Sequence, residues 1–200
     1  MNKSQLLTSL KKQFPSKIVK AFAKVPREDF VPKELKSEAY LDTALPLEQG
    51  ATISQPCTIA SMLSLLELNQ KQKILEIGSG CGYVLALLAE ISQASEIYGI
   101  EILKSLAESS KENLSTYKNI TIINKNGSQG LNEKAPFDRI LISASADKMP
   151  EHLFQQLKDN GILVTPVNNS IFQIKKQNNK LSTKEFPGFV FVPLINTNHN

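Results

Sequence analysis

The 200-residue sequence predicts a fold of the α/β class, built around a mostly parallel, doubly wound sheet. Three observations lead to this prediction. Hydrophobic strands and amphipathic helices alternate regularly between residues 73 and 167, which is the pattern of βαβ units. A glycine-rich turn joins the first of these strands to the helix after it. Two further strand patterns follow with no helix between them, so the sheet is expected to end in antiparallel strands.

A small helical segment is predicted at the N-terminus. The stretches "LLTSLKKQF" and "KIVKAFAKV" carry apolar residues at helical spacing, and Pro15 and Ser16 between them suit a helix break followed by a new N-cap. Pro26 and Pro32 frame "PREDFVP", which is too rigid and too short for a helix. The following "LDTALPLEQG" is expected to be loop or short strand.

The core begins with a helix at Pro56, because apolar residues recur after it with a period of 3.6 as far as Leu66; it is expected to end near "LNQKQ". The predicted strands are then "KILEIG", "EIYGIE", "NITIIN", "FDRILIS" and "GILVTPV". The helices between them are "YVLALLAEIS", "LKSLAESSKENLSTY" and "PEHLFQQLKDN", the last one closed by Gly161 at its C′ position. The final two strands are predicted at "SIFQIKK" and "GFVFVPLI", with a turn at "QNNK".

The composition is that of one globular domain. Hydrophobic residues make up 41% and charged residues 21%, and 200 residues suit a single core. We expect an N-terminal helical and loop segment (1–50), a core (51–167) and C-terminal strands (168–200). No stretch reaches the roughly 18 apolar residues of a membrane span, and the N-terminus lacks the apolar region of a signal peptide. The expectation is a cytoplasmic, monomeric protein with no membrane partner.

The charge balance raises the question of a nucleic-acid partner. The net charge is +4 and the pI about 9.0, yet Arg27 and Arg139 are the only arginines. Guanidinium is the group that reads bases bidentately, and the lysines are scattered rather than arranged in one stripe. A solvated surface is therefore favoured and no nucleic acid is expected. Two cysteines and two histidines supply neither a disulfide framework nor a zinc spacing, so no metal is expected.

The stretch "LEIGSGCGY" predicts a cofactor site. Gly78, Gly80 and Gly82 lie between a strand and a helix, where glycine lets the backbone turn sharply and approach a ligand. The bulky Tyr83 stands at the sixth position of a dinucleotide fingerprint and opposes the close pyrophosphate approach that NAD needs. Glu101 ends the next strand, where an acid can accept hydrogen bonds from a ribose diol. With no GxxxxGK[ST] motif for ATP, these features favour S-adenosylmethionine.

Six stretches carry a resemblance to a known family: "VPREDFVP", "AYLDTALPL", "GATISQP", "LEIGSGCGY", "APFDRILISASA" and "FVPL". In this order they resemble protein-L-isoaspartate O-methyltransferases. The resemblance implies a Rossmann-like S-adenosylmethionine methyltransferase fold and methyl transfer to the α-carboxylate of L-isoaspartyl residues in damaged proteins, a repair reaction. Isoaspartyl-containing proteins and peptides are then the expected partners. A carboxylate is already ionised at neutral pH, so the reaction needs orientation in a dry pocket rather than a metal, a cysteine or a histidine base.

The resemblance also implies the site residues. Ser54 in "TISQP" matches the family's active-site serine. From local sequence alone, Ser54 suits the capping of the helix at Pro56 at least as well. For Asp42 two roles stay open, fixing its loop and lining the substrate cleft. Asp138 is expected to be structural. The cofactor positions implied are Thr52, Ile53, Glu76, Gly78, Ser79, Gly80, Glu101, Ile102, Asn126 and Gly127.

Several residues depart from the family's pattern. Asn126 stands in "KNG", where the family has an acid that addresses the adenine amine; the Asn126 amide oxygen keeps an acceptor there. Glu48 adds a negative charge and Val190 lacks a positive one, which disfavours an anionic substrate if they line the site. Asn168 and Cys57 also differ. Two alternatives stay open: a methyltransferase of the same fold that acts on a small molecule or RNA, and a relative that binds without turnover.

Overall fold

The computed structural model describes residues 1–93, 96–145 and 147–191. Its α-helices are α1 (Lys3–Lys11), α2 (Ser16–Lys24), α3 (Pro56–Leu65), α4 (Tyr83–Ser92) and α5 (Lys104–Asn113). Its strands are β1 (Leu45–Pro46), β2 (Thr52–Ile53), β3 (Lys73–Ile77), β4 (Glu96–Glu101), β5 (Ile120–Asn124), β6 (Phe137–Ile142), β7 (Leu157–Val167), β8 (Ser170–Gln177) and β9 (Lys180–Pro187). Short 3-10 helices cover Arg27–Asp29, Lys33–Glu38, Asn132–Lys134 and Glu151–Gln156.

The main sheet has the strand order β5-β4-β3-β6-β7-β8-β9. The pairs from β5 to β7 are parallel, and β7–β8 and β8–β9 are antiparallel. The predicted parallel sheet with an antiparallel C-terminal end is therefore confirmed. The first strand of this sheet along the chain is β3, in the middle. The next two, β4 and β5, are added on one side of it and β6 on the other, so the direction of winding changes between β3 and β6. Ligands of open α/β sheets bind at this point, at the carboxyl ends of the strands.

The central strands β3, β4 and β6 are buried on both faces of the sheet, since successive residues point to opposite sides and nearly all of them are buried. In β3, Ile74 belongs to a hydrophobic cluster with residues of α1 to α4. Leu75 and Ile77 belong to a second cluster on the other face, together with Phe137 and Leu153. In the described part of the chain the α-helices cover the first face and 3-10 segments cover the second. None of the described helices combines the length and the apolar character that a membrane crossing requires.

The helix predicted over residues 150–160 is wrong. Only Glu151–Gln156 is helical, as a 3-10 helix, and the next residues already belong to β7. Leu157 pairs with Phe137 of β6, and this pairing buries Leu157 and overrides the helical pattern. Gly161 is accordingly not a helix C′ residue. It follows Asn160, whose φ is +62°, at a register shift of the strand where a Cβ would lie 2.7 Å from the Lys158 carbonyl oxygen.

The last strand also differs from the prediction. β9 covers Lys180–Pro187, whereas residues 188–191 of "GFVFVPLI" are not in a strand and the remainder of that stretch lies outside the described residues. Asn178 and Asn179 have positive φ values of +50° and +59°, which form a two-residue hairpin turn. Such a turn pairs Gln177 with Lys180 and starts the strand at once. The apolar pattern that suggested a later strand was misleading.

Smaller differences concern helix ends. Pro15 does break the helical segment, but it occupies the N-cap position itself and Ser16 is the first residue of α2. The helix α3 ends at Leu65, before "LNQKQ", and α5 ends at Asn113, before Tyr117. The stretch "PREDFVP" contains one 3-10 turn, Arg27–Asp29.

Candidate functional site

A pocket opens where the winding of the sheet changes, at the carboxyl ends of β3 and β6; we call it the main pocket. It brings together seven of the predicted site residues. Apolar side chains from α3, α4 and β6 complete its walls. The lining residues are Thr52, Ile53, Ser54, Ile59, Met62, Glu76, Gly78, Ser79, Gly80, Cys81, Tyr83, Val84, Leu141 and Ser143.

The glycine loop forms one wall of the main pocket. Gly78 and Gly80 have φ values of +77° and +52°, which a side chain would strain. The N–H groups of Gly78 and Ser79 both donate to the Ile100 carbonyl oxygen, at 2.9 and 3.0 Å, and so tie the loop to β4. The loop therefore keeps its open shape through backbone conformation and these two hydrogen bonds.

Glu101 lies behind the glycine loop, as its place at the end of β4 predicted. Its Oε2 accepts a hydrogen bond from the Gly80 N–H at 2.7 Å, and its Oε1 accepts one from the Leu103 N–H at 2.9 Å. An ionised carboxylate offers about four lone-pair sites. Glu101 can therefore hold the loop in place and still accept hydrogen bonds from a ligand.

Glu76 lies at the end of β3, and only one of its two carboxyl oxygens has a hydrogen-bond partner among the described residues. Its Oε1 accepts a hydrogen bond from Ser143 Oγ at 2.6 Å. Burial raises the pKa of Glu76 to about 8, the Ser143 hydrogen bond opposes that shift, and the charge of Glu101 adds to it. Within the described residues, Glu76 Oε2 and Ser79 Oγ are buried with no hydrogen-bond partner. Buried polar atoms are normally paired, so both point to a ligand that carries hydrogen-bond donors.

A β-hairpin covers the glycine loop from the opposite side. β1 and β2 pair antiparallel, with Leu45 opposite Ile53, and the Leu47 N–H donates to the Ala51 carbonyl oxygen at 2.8 Å. The Leu47 Cδ1 lies 3.9 Å from the position of a Cβ built on Gly80. The hairpin thus packs against the loop and lays the segment from residue 52 to residue 54 along the main pocket.

Ser54 does not cap α3. The N-cap residue Gln55 makes no side-chain capping bond. The first turn is capped instead by Asp42, whose Oδ1 accepts a hydrogen bond from the Cys57 N–H at 2.8 Å across 15 residues of sequence. Asp42 therefore fixes its loop to the helix. The Ser54 hydroxyl makes no hydrogen bond to any residue that the structure describes, and it stays available at the pocket wall.

Arg27 is a residue that the sequence reasoning missed at this site. Its side chain is fully buried, with its guanidinium 5.2 Å from the centre of the Tyr83 ring and its Nη2 3.4 Å from the Ile53 carbonyl oxygen. Burial lowers the pKa of Arg27. Among the described residues, Nε and Nη1 have no partner. Arg27 supports β2, and with it the segment of Ser54, from behind the pocket wall; only its place in "VPREDFVP" could have signalled this.

The remaining predicted residues lie beside the main pocket rather than in its lining. The Lys125 N–H donates to the Glu101 carbonyl oxygen at 3.1 Å, which holds the loop after β5 against the end of β4. Asn124 Nδ2 donates to the carbonyl oxygen of Ile102 at 3.0 Å. In the same loop, Gly127 is buried so tightly that a Cβ would lie 2.7 Å from Ile77 Cγ2. Glu101, Ile102, Asn126 and Gly127 thus form a second group at the same edge of the sheet.

Other titratable residues have structural surroundings. Asp138 accepts hydrogen bonds from the Lys73 N–H at 2.7 Å and from Lys158 Nζ at 2.9 Å, which confirms its predicted structural role. Burial raises the pKa of both Cys57 and Cys81 to about 11, so neither thiol is ionised at neutral pH. No group of three or more His, Cys, Asp and Glu side chains in the described ranges could hold a metal ion.

Comparison with known proteins gives a consistent family. The family model for protein-L-isoaspartate(D-aspartate) O-methyltransferase matches residues 1–199. The chain is 39% identical over 200 residues to the protein-L-isoaspartate O-methyltransferase of Methanothrix thermoacetophila, covering 98% of this chain and 95% of that one. It is 43% identical over 187 residues to that of Petrotoga mobilis, covering 90% and 87%.

Two solved structures share the fold over almost the whole chain. One is a protein-L-isoaspartate O-methyltransferase with a TM-score of 0.85 and 28% identity; the match covers 96% of this chain and 65% of that one. The other is from Plasmodium falciparum, described as a protein-L-isoaspartate O-methyltransferase in complex with S-adenosyl-L-homocysteine. It also has a TM-score of 0.85 and 28% identity, and the match covers 98% of this chain and 99% of that one.

Proposed function

Since the chain belongs to the protein-L-isoaspartate(D-aspartate) O-methyltransferase family, we propose that its main pocket transfers a methyl group from S-adenosylmethionine to L-isoaspartyl residues of damaged proteins. The acceptor is the α-carboxylate, and the reaction serves protein repair. One observation carries the proposal: the unpartnered atoms of Glu76 and Ser79 and the free hydroxyl of Ser54 line a single pocket. The first two suit a cofactor and the third suits a substrate beside it.

The residues present fit the cofactor. S-adenosylmethionine, when bound, supplies a methyl group on a positively charged sulfur and brings an amino-acid end with an ammonium group. An ammonium group beside Glu76 would favour the ionised carboxylate, whose Oε2 then accepts its hydrogen bond, and Ser79 Oγ can pair with either end of that amino acid. Glu101 is assigned to the ribose hydroxyls. The other cofactor positions in this proposal are Thr52, Ile53, Gly78, Gly80, Ile102, Asn126 and Gly127.

Ser54 is proposed as the residue that orients the substrate. Its hydroxyl can donate a hydrogen bond to one carboxylate oxygen of the isoaspartyl group, which leaves the other oxygen directed at the methyl group. The carboxylate is ionised at neutral pH and needs no base. Ile59, Met62 and Leu141 provide apolar walls that exclude water, and in such a pocket a fixed orientation supplies much of the rate.

We further propose that the whole chain acts as one methyltransferase domain, in the cytoplasm, as a monomer and without a nucleic-acid partner. The single domain is supported by Leu6 of α1 and Phe22 of α2, which belong to the same hydrophobic cluster as Ile53 and Ile74. The N-terminal helices are thus packed into the core that holds the catalytic segment.

The test is transfer of a labelled methyl group to an isoaspartyl peptide and to its twin with a normal aspartyl residue. We expect labelling of the isoaspartyl peptide alone, and base-labile label, as a methyl ester requires. Total cellular RNA and a pool of small carboxylic acids serve as competing acceptors in the same assay. Labelling of one of these in place of the peptide would support the alternative methyltransferase, and cofactor binding without any transfer would support the non-catalytic relative.

A further inference from the structure

The chain contains two Asn-Gly pairs, at residues 126–127 and 160–161. Glycine's unhindered peptide nitrogen is the one best able to attack the side-chain amide of a preceding asparagine. We propose that Asn126 is a site of spontaneous modification in the folded protein, at which loss of ammonia and addition of water convert it to aspartyl and isoaspartyl forms. The aspartyl form preserves the conformation of the loop after β5, and the isoaspartyl form disrupts it.

The geometry of the loop after β5 favours the reaction. Asn126 Oδ1 accepts a hydrogen bond from the Ser128 N–H at 2.8 Å. The ring that this bond closes contains the Gly127 nitrogen, so it holds that nitrogen beside the side-chain carbonyl carbon, and the bond also polarises the carbonyl. The Gly127 N–H donates to no residue in the described ranges. Within that part of the chain, the nucleophilic nitrogen is therefore not engaged in a hydrogen bond.

Neighbouring contacts keep this arrangement in place. The Gly130 N–H donates to the Gly127 carbonyl oxygen at 2.8 Å. On the other side, His152 Nε2 lies 2.7 Å from the Ser128 carbonyl oxygen. Asn126 itself is half-buried, so solvent reaches it. The turn is thus held from both ends around a side chain that water and base can approach.

The chemical step is balanced by water alone. A base removes the Gly127 N–H proton, the nitrogen attacks Asn126 Cγ, and ammonia leaves with the former amide nitrogen. Water then opens the five-membered succinimide at one of its two carbonyls. Opening at one gives aspartate with the original backbone, and opening at the other gives isoaspartate, whose backbone runs through the side chain and is one methylene longer.

The two products have opposite effects on the loop. An aspartate at 126 keeps an oxygen that accepts from the Ser128 N–H. The longer backbone of isoaspartate shifts Gly127, and Gly127 is packed too tightly to move, since even a Cβ added to it would lie 2.7 Å from Ile77 Cγ2 and 3.1 Å from Ile100 Cγ2. These isoleucines directly precede Gly78 and Glu101 in the chain, so the isoaspartyl form displaces both walls of the proposed cofactor site.

Asn160-Gly161 is the matched comparison within the same chain. Asn160 is exposed, but it lies inside β7, where its carbonyl oxygen is 3.4 Å from Arg139 Nη1. Its Nδ2 contacts Asp159 Oδ2 at 3.4 Å, and Ile162, the residue after Gly161, pairs with both Arg139 and Lys175. Exposure alone favours modification at 160, whereas the local geometry favours 126, so the two explanations predict opposite orders.

The experiment holds the full-length protein in mildly alkaline buffer without methyl donor and follows residues 126 and 160 by peptide mapping that separates aspartyl from isoaspartyl products. We expect residue 126 to convert several-fold faster than residue 160. Asn126→Gln should abolish the fast phase, because its ring would need six members, and Asn160→Gln should leave it unchanged. Equal or faster conversion at 160, or a residue 126 that stays amidated while a peptide of residues 120–132 converts, would overturn the proposal.

A binding measurement tests the predicted difference between the products. S-adenosylhomocysteine is titrated into Asn126→Asp and into the separated isoaspartyl-126 form. We expect the isoaspartyl form to bind at least about tenfold more weakly than Asn126→Asp. Equal binding by both forms would refute the effect on the loop. This part rests on the proposed cofactor site, whereas the conversion rates are measured without any activity, so failure of one is distinguishable from failure of the other.

Discussion

The two arginines of this chain are both buried, and their surroundings differ sharply. Arg139, in β6, donates to four backbone carbonyl oxygens, those of Leu66, Asp138, Asn160 and Glu67, at 2.6 to 3.4 Å. Arg27 has one such contact, at 3.4 Å to Ile53, and two nitrogens with no partner among the described residues. Burial lowers the pKa of both. The same side chain therefore serves as a saturated structural link in one place and an incompletely paired support in the other.

The same difference in hydrogen-bond pairing is seen between the two ends of the parallel strands. Toward the amino ends of the strands, Asp138 and Arg139 find their partners within the protein. Around the main pocket, Glu76 Oε2 and Ser79 Oγ are buried and unpaired in the described structure. Leaving such atoms unpaired costs free energy, so it persists where a ligand completes the pairing. Incomplete pairing thus distinguishes Glu76 and Ser79 in the main pocket from Asp138 and Arg139 at the opposite edge.

The largest expected effect tests the arginine pair directly. Arg139→Met removes the donor to four buried or half-buried carbonyl oxygens and should lower the free energy of unfolding by about 3 kcal/mol. Arg27→Met should cost about 1 kcal/mol or less, since it removes a buried charge with one weak hydrogen bond and leaves an apolar side chain against Tyr83. Urea unfolding of both variants, with the slopes compared, measures the difference.

Lys111→Met is the control for this pair, because Lys111 is an exposed residue of α5 and its loss should change the free energy of unfolding by less than about 0.5 kcal/mol. Equal losses for the two arginine variants would contradict the comparison. Arg27→Met should instead raise the KM for the isoaspartyl peptide, since it loosens the strand that precedes Ser54. Arg27→Lys, which keeps a donor, should recover part of that loss.

The second effect concerns turnover. Ser54→Ala should lower kcat about 100-fold, the usual cost of removing one positioned hydrogen-bond donor, with unfolding free energy almost unchanged because Ser54 caps nothing. Ser61→Ala is the matched control: it is another half-buried serine nearby, in α3, and its hydroxyl bonds only the Cys57 carbonyl oxygen. Steady-state kinetics with an isoaspartyl peptide measure both. Similar turnover of the two variants would remove Ser54 from the site.

The third effect, smaller than the first two within any one pH unit, is a pH dependence of stability that comes from Glu76. The pKa of Glu76 is raised by burial to about 8 in the folded chain, above the roughly 4.3 of an unfolded glutamate. Between these values the folded state keeps a proton that the unfolded state has lost. Stability therefore falls as pH rises, by up to about 1.4 kcal/mol per pH unit, until the loss is complete above a pH of about 8.

Glu76→Gln should remove this slope, because the glutamine is neutral and its oxygen can still accept from Ser143 Oγ. Unfolding by urea at a series of pH values between 5 and 9 measures the slope directly. Glu34→Gln, at an exposed position, is the control and should retain it. An unchanged slope in Glu76→Gln would mean that Glu76 is already ionised in the folded chain.

Several features could be predicted from the sequence because they depend on local pattern or on strand order. The helix Tyr83–Ser92 and the strand Glu96–Glu101 have their predicted bounds, since both follow their apolar pattern and Gly82 directly precedes the helix. Glu101 reaches the glycine loop because parallel strands bring their carboxyl ends together. The 3-10 turn at Glu151–Gln156 was missed because pairing with β6 overrides local pattern.

Other features depend on contacts between segments that are distant in sequence. Arg27 is charged and gave no sign of burial, because its surroundings come from α4 and β2. Asp42 caps α3 from 15 residues upstream, beyond the few positions that capping patterns cover. Such long-range partners decide whether a polar residue is paired, and a single sequence does not display them.

The smallest expected effect concerns Asp42, whose loss should lower stability and spare turnover, the opposite of what is expected for Ser54. Asp42→Ala should lower the free energy of unfolding by about 1 kcal/mol, because the Cys57 N–H loses its acceptor, and Asp42→Asn should recover much of this, since its amide oxygen can accept in the same place. Turnover should stay within about threefold, because the helix still positions the pocket. Thermal unfolding and kinetics with an isoaspartyl peptide are measured on the Asp42 variants and on Ser54→Ala. The comparison sets a residue that is paired within the protein against one whose hydroxyl is available to a ligand. If Asp42→Ala instead lost turnover with unchanged stability, Asp42 would belong to the substrate cleft, and complete pairing would no longer mark a residue as structural.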